Sequence, residues 1–222
     1  MGTAYQSQGF GHVMGIDIDL LFSLAVFALV TSITPGPNNL MVMASGAAFG
    51  VRRTVPHVAG IAIGFATMIG GAVFGLGALL EAFPWALDVV RYVGAAWMFW
   101  LAWQFLSPLF SPPPASEEEG TVDAKARPFR LYEAALFQWI NPKAWAMAVA
   151  TAGAYAGITD DTIPRTLAMC AVFTLVGPAS NFVWVIGGQT IRRLLSPANG
   201  GRMFSGLMGV LVAVSAGLIL FA

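Results

Sequence analysis

Thr34-Pro35-Gly36-Pro37-Asn38-Asn39 interrupts an apolar run, residues 20–51, that carries no charged side chain. As one helix those 32 residues would reach ~48 Å, against a bilayer core about 30 Å thick. Pro35 and Pro37 donate no backbone N–H, and each pushes the residue before it out of the α region. A regular helix therefore ends in this stretch. Non-helical backbone at membrane depth is tolerated only inside protein or beside a watery cavity. The break is thus the first candidate for a site.

The rest of the chain supports a membrane setting. Of its 222 residues, 57% are hydrophobic and 10% are charged, where soluble domains carry about 25% charged residues. A soluble core of this size has no room for so much apolar surface. Net charge is zero, which gives no footprint for nucleic acid. The lone Cys170 can form neither an internal disulfide nor a thiolate metal cluster, and reads as a small apolar helix residue. Residues 1–17 read as a flexible extension. They have no basic residue ahead of the first apolar run, so they do not resemble a secretory signal, and either Met1 or Met14 could be the start.

Apolar segments fall at residues 20–49, 57–80, 85–106, 131–156, 166–191 and 204–221, each long enough to span a bilayer. The fold expected is an all-α integral membrane protein with six transmembrane helices. Residues 107–130, with Pro112-Pro113-Pro114 and Glu117-Glu118-Glu119, form a solvated linker between two three-helix units, 18–106 and 131–222. Arg52, Arg53, Lys125, Arg127, Arg130, Arg192, Arg193 and Arg202 mark the cytoplasmic side. The opposite loops hold Arg91 and Arg165 with the acidic Glu81, Asp88, Asp160 and Asp161. Both termini are expected outside the cytoplasm, and three helices per half make the halves inverted. A shift of 107 residues places Thr34 on Asn141, in Asn141-Pro142-Lys143-Ala144, and Gly70-Gly71 on Gly177-Pro178. Proline or glycine breaks at matching places in two halves point to a transporter's binding site.

Asn141-Pro142 reads as an N-cap followed by proline at the first helical position. Asn38 and Asn39 are expected to start a second half-helix in the same way. Two such ends present unpaired N–H groups and positive dipole ends to a carboxylate. Carbonyls before the breaks, with the Thr34, Asn38 and Asn141 side chains, could accept from an ammonium. A zwitterion suits such a site. Lys143 is the one basic residue deep in an apolar segment. It either meets the substrate carboxylate, carries a proton, or snorkels to an interface or a structural ion pair. Glu133 is a second proton-coupling candidate or an interfacial residue. Asn181 needs a partner, either a neighbouring helix or the substrate. Asp88 and Arg91 form an interfacial pair, and Trp97, Trp100 and Trp103 face lipid. Gly60-x-x-x-Gly64 and Gly71-x-x-x-Gly75 offer small packing faces.

At these residues the chain resembles the lysine-exporter (LysE/RhtB) family. Thr34-Pro35-Gly36-Pro37-Asn38 is similar to that family's first motif and Asn141-Pro142-Lys143-Ala144 to its second, and the likeness runs from Met14 to the C-terminus. The residues before Met14 and the acidic, proline-rich linker depart from the pattern. The resemblance implies export of amino acids or close derivatives across the bacterial cytoplasmic membrane by proton exchange, with no catalysis, cofactor or bound metal. The expected partners are membrane lipid, a small zwitterion and protons; a homo-oligomer is left open. Substrate-binding candidates are Thr34, Pro35, Gly36, Pro37, Asn38, Asn39, Asn141, Pro142, Lys143 and Asn181. Two rival readings remain. A metal-cation exporter wants thiolates or carboxylates at the midplane, and an intramembrane enzyme wants a catalytic motif that neither His12 nor His57 supplies.

Overall fold

The structure, a computed structural model, describes residues 12, 13, 15–110, 127–194 and 200–221. Most of the linker lies outside these residues. His12–Val13 (β1) pairs antiparallel with Ile16–Asp17 (β2), so the last part of the N-terminal extension is a minimal hairpin. Asp17 then caps helix α1 (Ile18–Ile33) by accepting a hydrogen bond from the Leu20 N–H at 2.9 Å.

After the break, α2 (Pro37–Gly71) starts with Pro37 at its first position. It is not a straight rod. Gly50 has φ 79° and ψ 171°, a left-handed backbone that side-chain-bearing residues avoid. In a straight helix residues nine apart are separated by about 13 Å along the axis. The Ser45 and Thr54 hydroxyls nevertheless meet at 2.9 Å, so the chain folds back at Gly50. The expected loop carrying Arg52 and Arg53 is therefore one glycine wide, with helix on either side.

Ala72–Leu76 forms a π-helical turn leading into α3 (Gly77–Ala82). Gly75 there has φ 121°, so Gly71 and Gly75 accommodate this turn and do not form the expected packing face. Helix α4 (Trp85–Phe110) runs four residues past its expected end and exposes Trp97, Trp100 and Trp103. Asp88 and Arg91 pair at 2.9 Å, as their i, i+3 spacing suggests. Then follow α5 (Leu131–Gln138), α6 (Pro142–Ala154), a 3₁₀ turn (Ala156–Ile158), α7 (Thr162–Leu194) and α8 (Gly200–Phe221).

Among the described residues, four stretches are long and apolar enough to cross a membrane: Pro37–Leu80, Trp85–Phe110, Thr162–Leu194 and Arg202–Phe221. The shorter apolar α1 adds to them. The protein is an all-α membrane protein. The main packings are α2 on α7, α4 on α8, α2 on α5 and α1 on α7. Without water to drive helices together, close backbone approach matters most. A Cβ at Gly46 would run into the Val185 carbonyl, and one at Gly188 into the Met43 carbonyl. Gly60 and Gly64 likewise lie on the backbone of Leu131 and Ala135 in α5. These contacts hold the two breaks face to face.

Candidate functional site

A helix leaves its last four carbonyls without intrahelical partners, and in hydrocarbon each needs a donor. At the end of α1 every one of them has found one. The Thr34 N–H reaches the Val30 carbonyl at 3.2 Å, and the Thr34 hydroxyl reaches that of Thr31 at 2.9 Å. The Asn39 amide donates to the carbonyls of Ser32 and Thr34, both at 2.7 Å. The Trp184 indole N–H, from α7, donates to the Ile33 carbonyl at 3.1 Å. The Lys143 ammonium, from α6, donates to the Thr34 carbonyl at 2.8 Å, its hydroxyl at 2.9 Å and the Pro35 carbonyl at 3.4 Å. A cation thus sits at the negative end of the α1 dipole. The Lys143 stem lies along Gly36, where a Cβ would come within 2.8 Å of Lys143 Cδ.

The second break is built differently. Asn141 is the N-cap of α6, and its Oδ1 accepts from the Lys143 N–H at 3.1 Å. The Trp145 indole donates to the Trp139 carbonyl at 2.9 Å. Between the breaks, the amides of Asn38 and Gln138 exchange two hydrogen bonds, at 2.8 and 3.2 Å. Gln138 is fully buried and also donates to the Ala134 carbonyl at 2.9 Å.

The start of α2 stands apart from this network. Gly36 is its N-cap and supplies no side-chain hydrogen bond, and Pro37 has no N–H. The Asn38 and Asn39 N–H groups are left at the positive end of the helix. They border a cavity of about 60 Å³, room for roughly four waters, lined on its polar side by Ser32, Gln138, Asn141, Lys143 and Asn181. Phe65, Met147 and Phe173 close its apolar side. Asn181 is buried and makes no hydrogen bond to another described residue. Uncapped N–H groups, a positive dipole end and a free amide favour an anion.

Of the expected site residues, Gly36, Pro37, Asn38, Asn39, Asn141, Lys143 and Asn181 line this cavity. Pro35 and Pro142 border a larger apolar cleft of about 750 Å³ between α4, α6 and α8. Thr34 stands behind Lys143 as its acceptor. The expected acceptor side for a substrate ammonium is thus occupied by the protein's own Lys143. Glu133 lies elsewhere, in the first turn of α5, where it accepts from Arg127 at 2.5 and 2.6 Å and from the Arg130 N–H at 2.8 Å. Matched at their first helical prolines, the breaks are related by 142 − 37 = 105 residues, two fewer than the expected 107. Pro37 and Pro142 each begin a helix, and Thr34 ends the one before the first break.

Gln138 and Trp184 were missed. Gln138 had a signal, an amide in an apolar run three residues ahead of Asn141-Pro142, the same reasoning that singled out Asn181. Trp184 had none, since a tryptophan capping a distant helix has the same local pattern as one facing lipid.

Comparison with known proteins agrees with this architecture. The LysE type translocator family matches residues 29–222. The cysteine/O-acetylserine efflux protein of Escherichia coli (strain K12) is 26% identical over 178 residues, 79% of this chain and 85% of that protein. The protein of the same name from Salmonella typhimurium (strain LT2) is 25% identical over 177 residues, 78% of this chain and 85% of its own. No solved structure matches. With its paired breaks and the matched region spanning both, the chain belongs to the LysE type translocator family.

Proposed function

We propose that this protein is a secondary transporter of the bacterial inner membrane that exports amino acids or close derivatives, exchanging them for protons. The observation that carries the reading is the uncapped start of α2, opening on a small polar cavity beside a second helix start. The substrate carboxylate binds the Asn38 and Asn39 N–H groups, and Asn181 and Asn141 orient the molecule. The substrate ammonium competes with Lys143 for the Thr34 and Pro35 carbonyls. Lys143 released in this way is free to meet the carboxylate. The relatives' names, cysteine/O-acetylserine efflux protein, put small zwitterions first among the candidates.

The finer architecture proposed is six passes in a 3+3 inverted repeat. The fold-back at Gly50 supports it, since it turns α2 into two segments: one completes the first pass after α1, and the other makes the second. Packing supports it too. Exchanging α1 with α5, the second part of α2 with α7, and α4 with α8 carries α1 on α7 into α5 on α2. It also carries α4 on α6 into α8 on the first part of α2, and leaves α2 on α7 and α4 on α8 in place. Rocking one half on the other would alternate access.

The test is counterflow in proteoliposomes with a panel of labelled amino acids that includes cysteine and O-acetylserine, run with and without a pH gradient. Saturable exchange of a zwitterion, accelerated when the outer face is acidic, is expected. Purified, correctly inserted protein that exchanges none of the panel would overturn the reading.

A further inference from the structure

His57 is 2% exposed, and neither of its ring nitrogens has a hydrogen-bond partner among the described residues. Buried polar groups are nearly always paired, and ionisable residues at membrane depth are commonly functional. The ring stacks on Phe129, centroids 5.2 Å apart. Phe129 in turn packs against an apolar cluster of Val42, Val58, Ile61, Ala134 and Val185. Ile61, one turn further along the same face of α2, already lines the polar cavity, as does Phe65 one turn beyond. His57 therefore lies about 6 Å along the helix from the cavity wall, within the seal on its Arg52–Arg53 side.

The cover over the ring is a clasp. Phe129 sits in the irregular segment 127–130, which the Arg127–Glu133 ion pair and the Arg130 N–H bond to Glu133 hold against α5. The charged groups on that side are Arg127, Arg130 and Glu133. On α2 itself they are Arg52 and the Phe49-stacked Arg53, both exposed. On α7 the packed residues are Val185, Phe182 and Trp184, and the nearest charges along that helix are Arg192 and Arg193 at its end.

We propose that His57 is the proton-binding residue of the exchange, and that its charging opens the cytoplasmic seal. This rests on the proton exchange proposed above. A proton from the outer compartment reaches the ring through the cavity and adds to one nitrogen; no other bond changes. A buried imidazolium without an acceptor is costly, so the clasp opens and Glu133 leaves Arg127 to meet it. The proton then departs to the cytoplasm, substrate enters, and the neutral ring reseals under Phe129.

Two experiments test this, both in reconstituted vesicles with His12 retained. His57→Gln cannot take up the charge that opens the seal, so it should lose about tenfold or more of gradient-driven transport, and what exchange is left should no longer respond to pH. In a Cys170→Ser background, Phe129→Cys should react faster with a membrane-impermeant thiol reagent, relative to a free thiol at the same pH, as pH falls from about 8 to about 4. That second measurement reads the native histidine, so it stands even if His57→Gln fails to fold. Gradient-driven transport at wild-type level in His57→Gln, or a thiol reactivity that stays constant with pH relative to a free thiol, overturns the assignment alone. Wild-type transport that ignores the gradient overturns the proton exchange as well.

Discussion

Lys143 shows how one side chain can belong to two parts of a site. Its backbone opens α6, while its ammonium closes α1, and three oxygens of Thr34 and Pro35 receive it. Lys143→Met keeps the stem that lies on Gly36 and removes only the charge. A charge-assisted hydrogen bond contributes about 1.5–3 kcal/mol and a cation at a helix C-terminus about 0.3–1, so a loss of roughly 2–3 kcal/mol is expected. Thermal unfolding in detergent reads it, and exchange should fall together with stability. Unchanged stability in Lys143→Met would mean that Asn39 and Trp184 suffice to cap α1. The Asn38–Gln138 amide pair calls for a double-mutant cycle. Each alanine leaves the other buried amide without its partner, so each single change should destabilise by about 1–3 kcal/mol. The double change should cost less than the sum by about 1 kcal/mol. Strict additivity would show that the two amides are neighbours without being partners.

At the scale of elements, the fold depends on where glycine is and is not needed. Gly188 lies against the Met43 carbonyl, whereas a Cβ on the adjacent Gly187 would meet nothing within 4 Å. Alanine is the better helix former by about 1 kcal/mol, so Gly187→Ala should be neutral or stabilising. Gly188→Ala should instead force α2 and α7 apart and destabilise by about 1–3 kcal/mol. Opposite signs at neighbouring positions, read as melting temperatures, check the packing; equal signs would contradict it. This contrast also marks what the sequence makes legible. Proline and glycine act on their own backbone, so both breaks and the N-cap at Asn141 could be read locally. The partners that satisfy the breaks come from other helices: Trp184 is 151 residues from Ile33, and Gln138 is 100 from Asn38. No local pattern encodes those distances. Pro35 and Pro37 offer two registers against Pro142, 107 and 105 residues, and only cap geometry distinguishes the two prolines. The fold-back at Gly50 is one residue wide and leaves no polar linker in the sequence to mark it.

At the scale of the whole molecule, the open matter is which way the chain lies in the bilayer. α7 has 33 residues and so spans about 50 Å, more than the ~30 Å hydrocarbon core. Arg192 and Arg193 end it, while Asp160 and Asp161 precede its start, so the two ends differ in charge. Arg52 and Arg53 at the Gly50 fold-back should share a side with Arg192 and Arg193 if basic residues stay cytoplasmic. Thiol labelling can decide this because Cys170 is the single cysteine. Its sulfur donates to the Ala66 carbonyl at 3.4 Å, a contact that the hydroxyl of Cys170→Ser can keep. In that background Asp160→Cys and Arg53→Cys each replace an exposed residue. An impermeant maleimide added to intact cells should label Asp160→Cys at once, and Arg53→Cys only after permeabilisation. The reverse pattern would invert the molecule. The seal over His57 on the Arg52–Arg53 side would then face the outer compartment. Labelling of both from one side would break the six-pass arrangement itself, because 53 and 160 would then no longer be separated by an odd number of crossings.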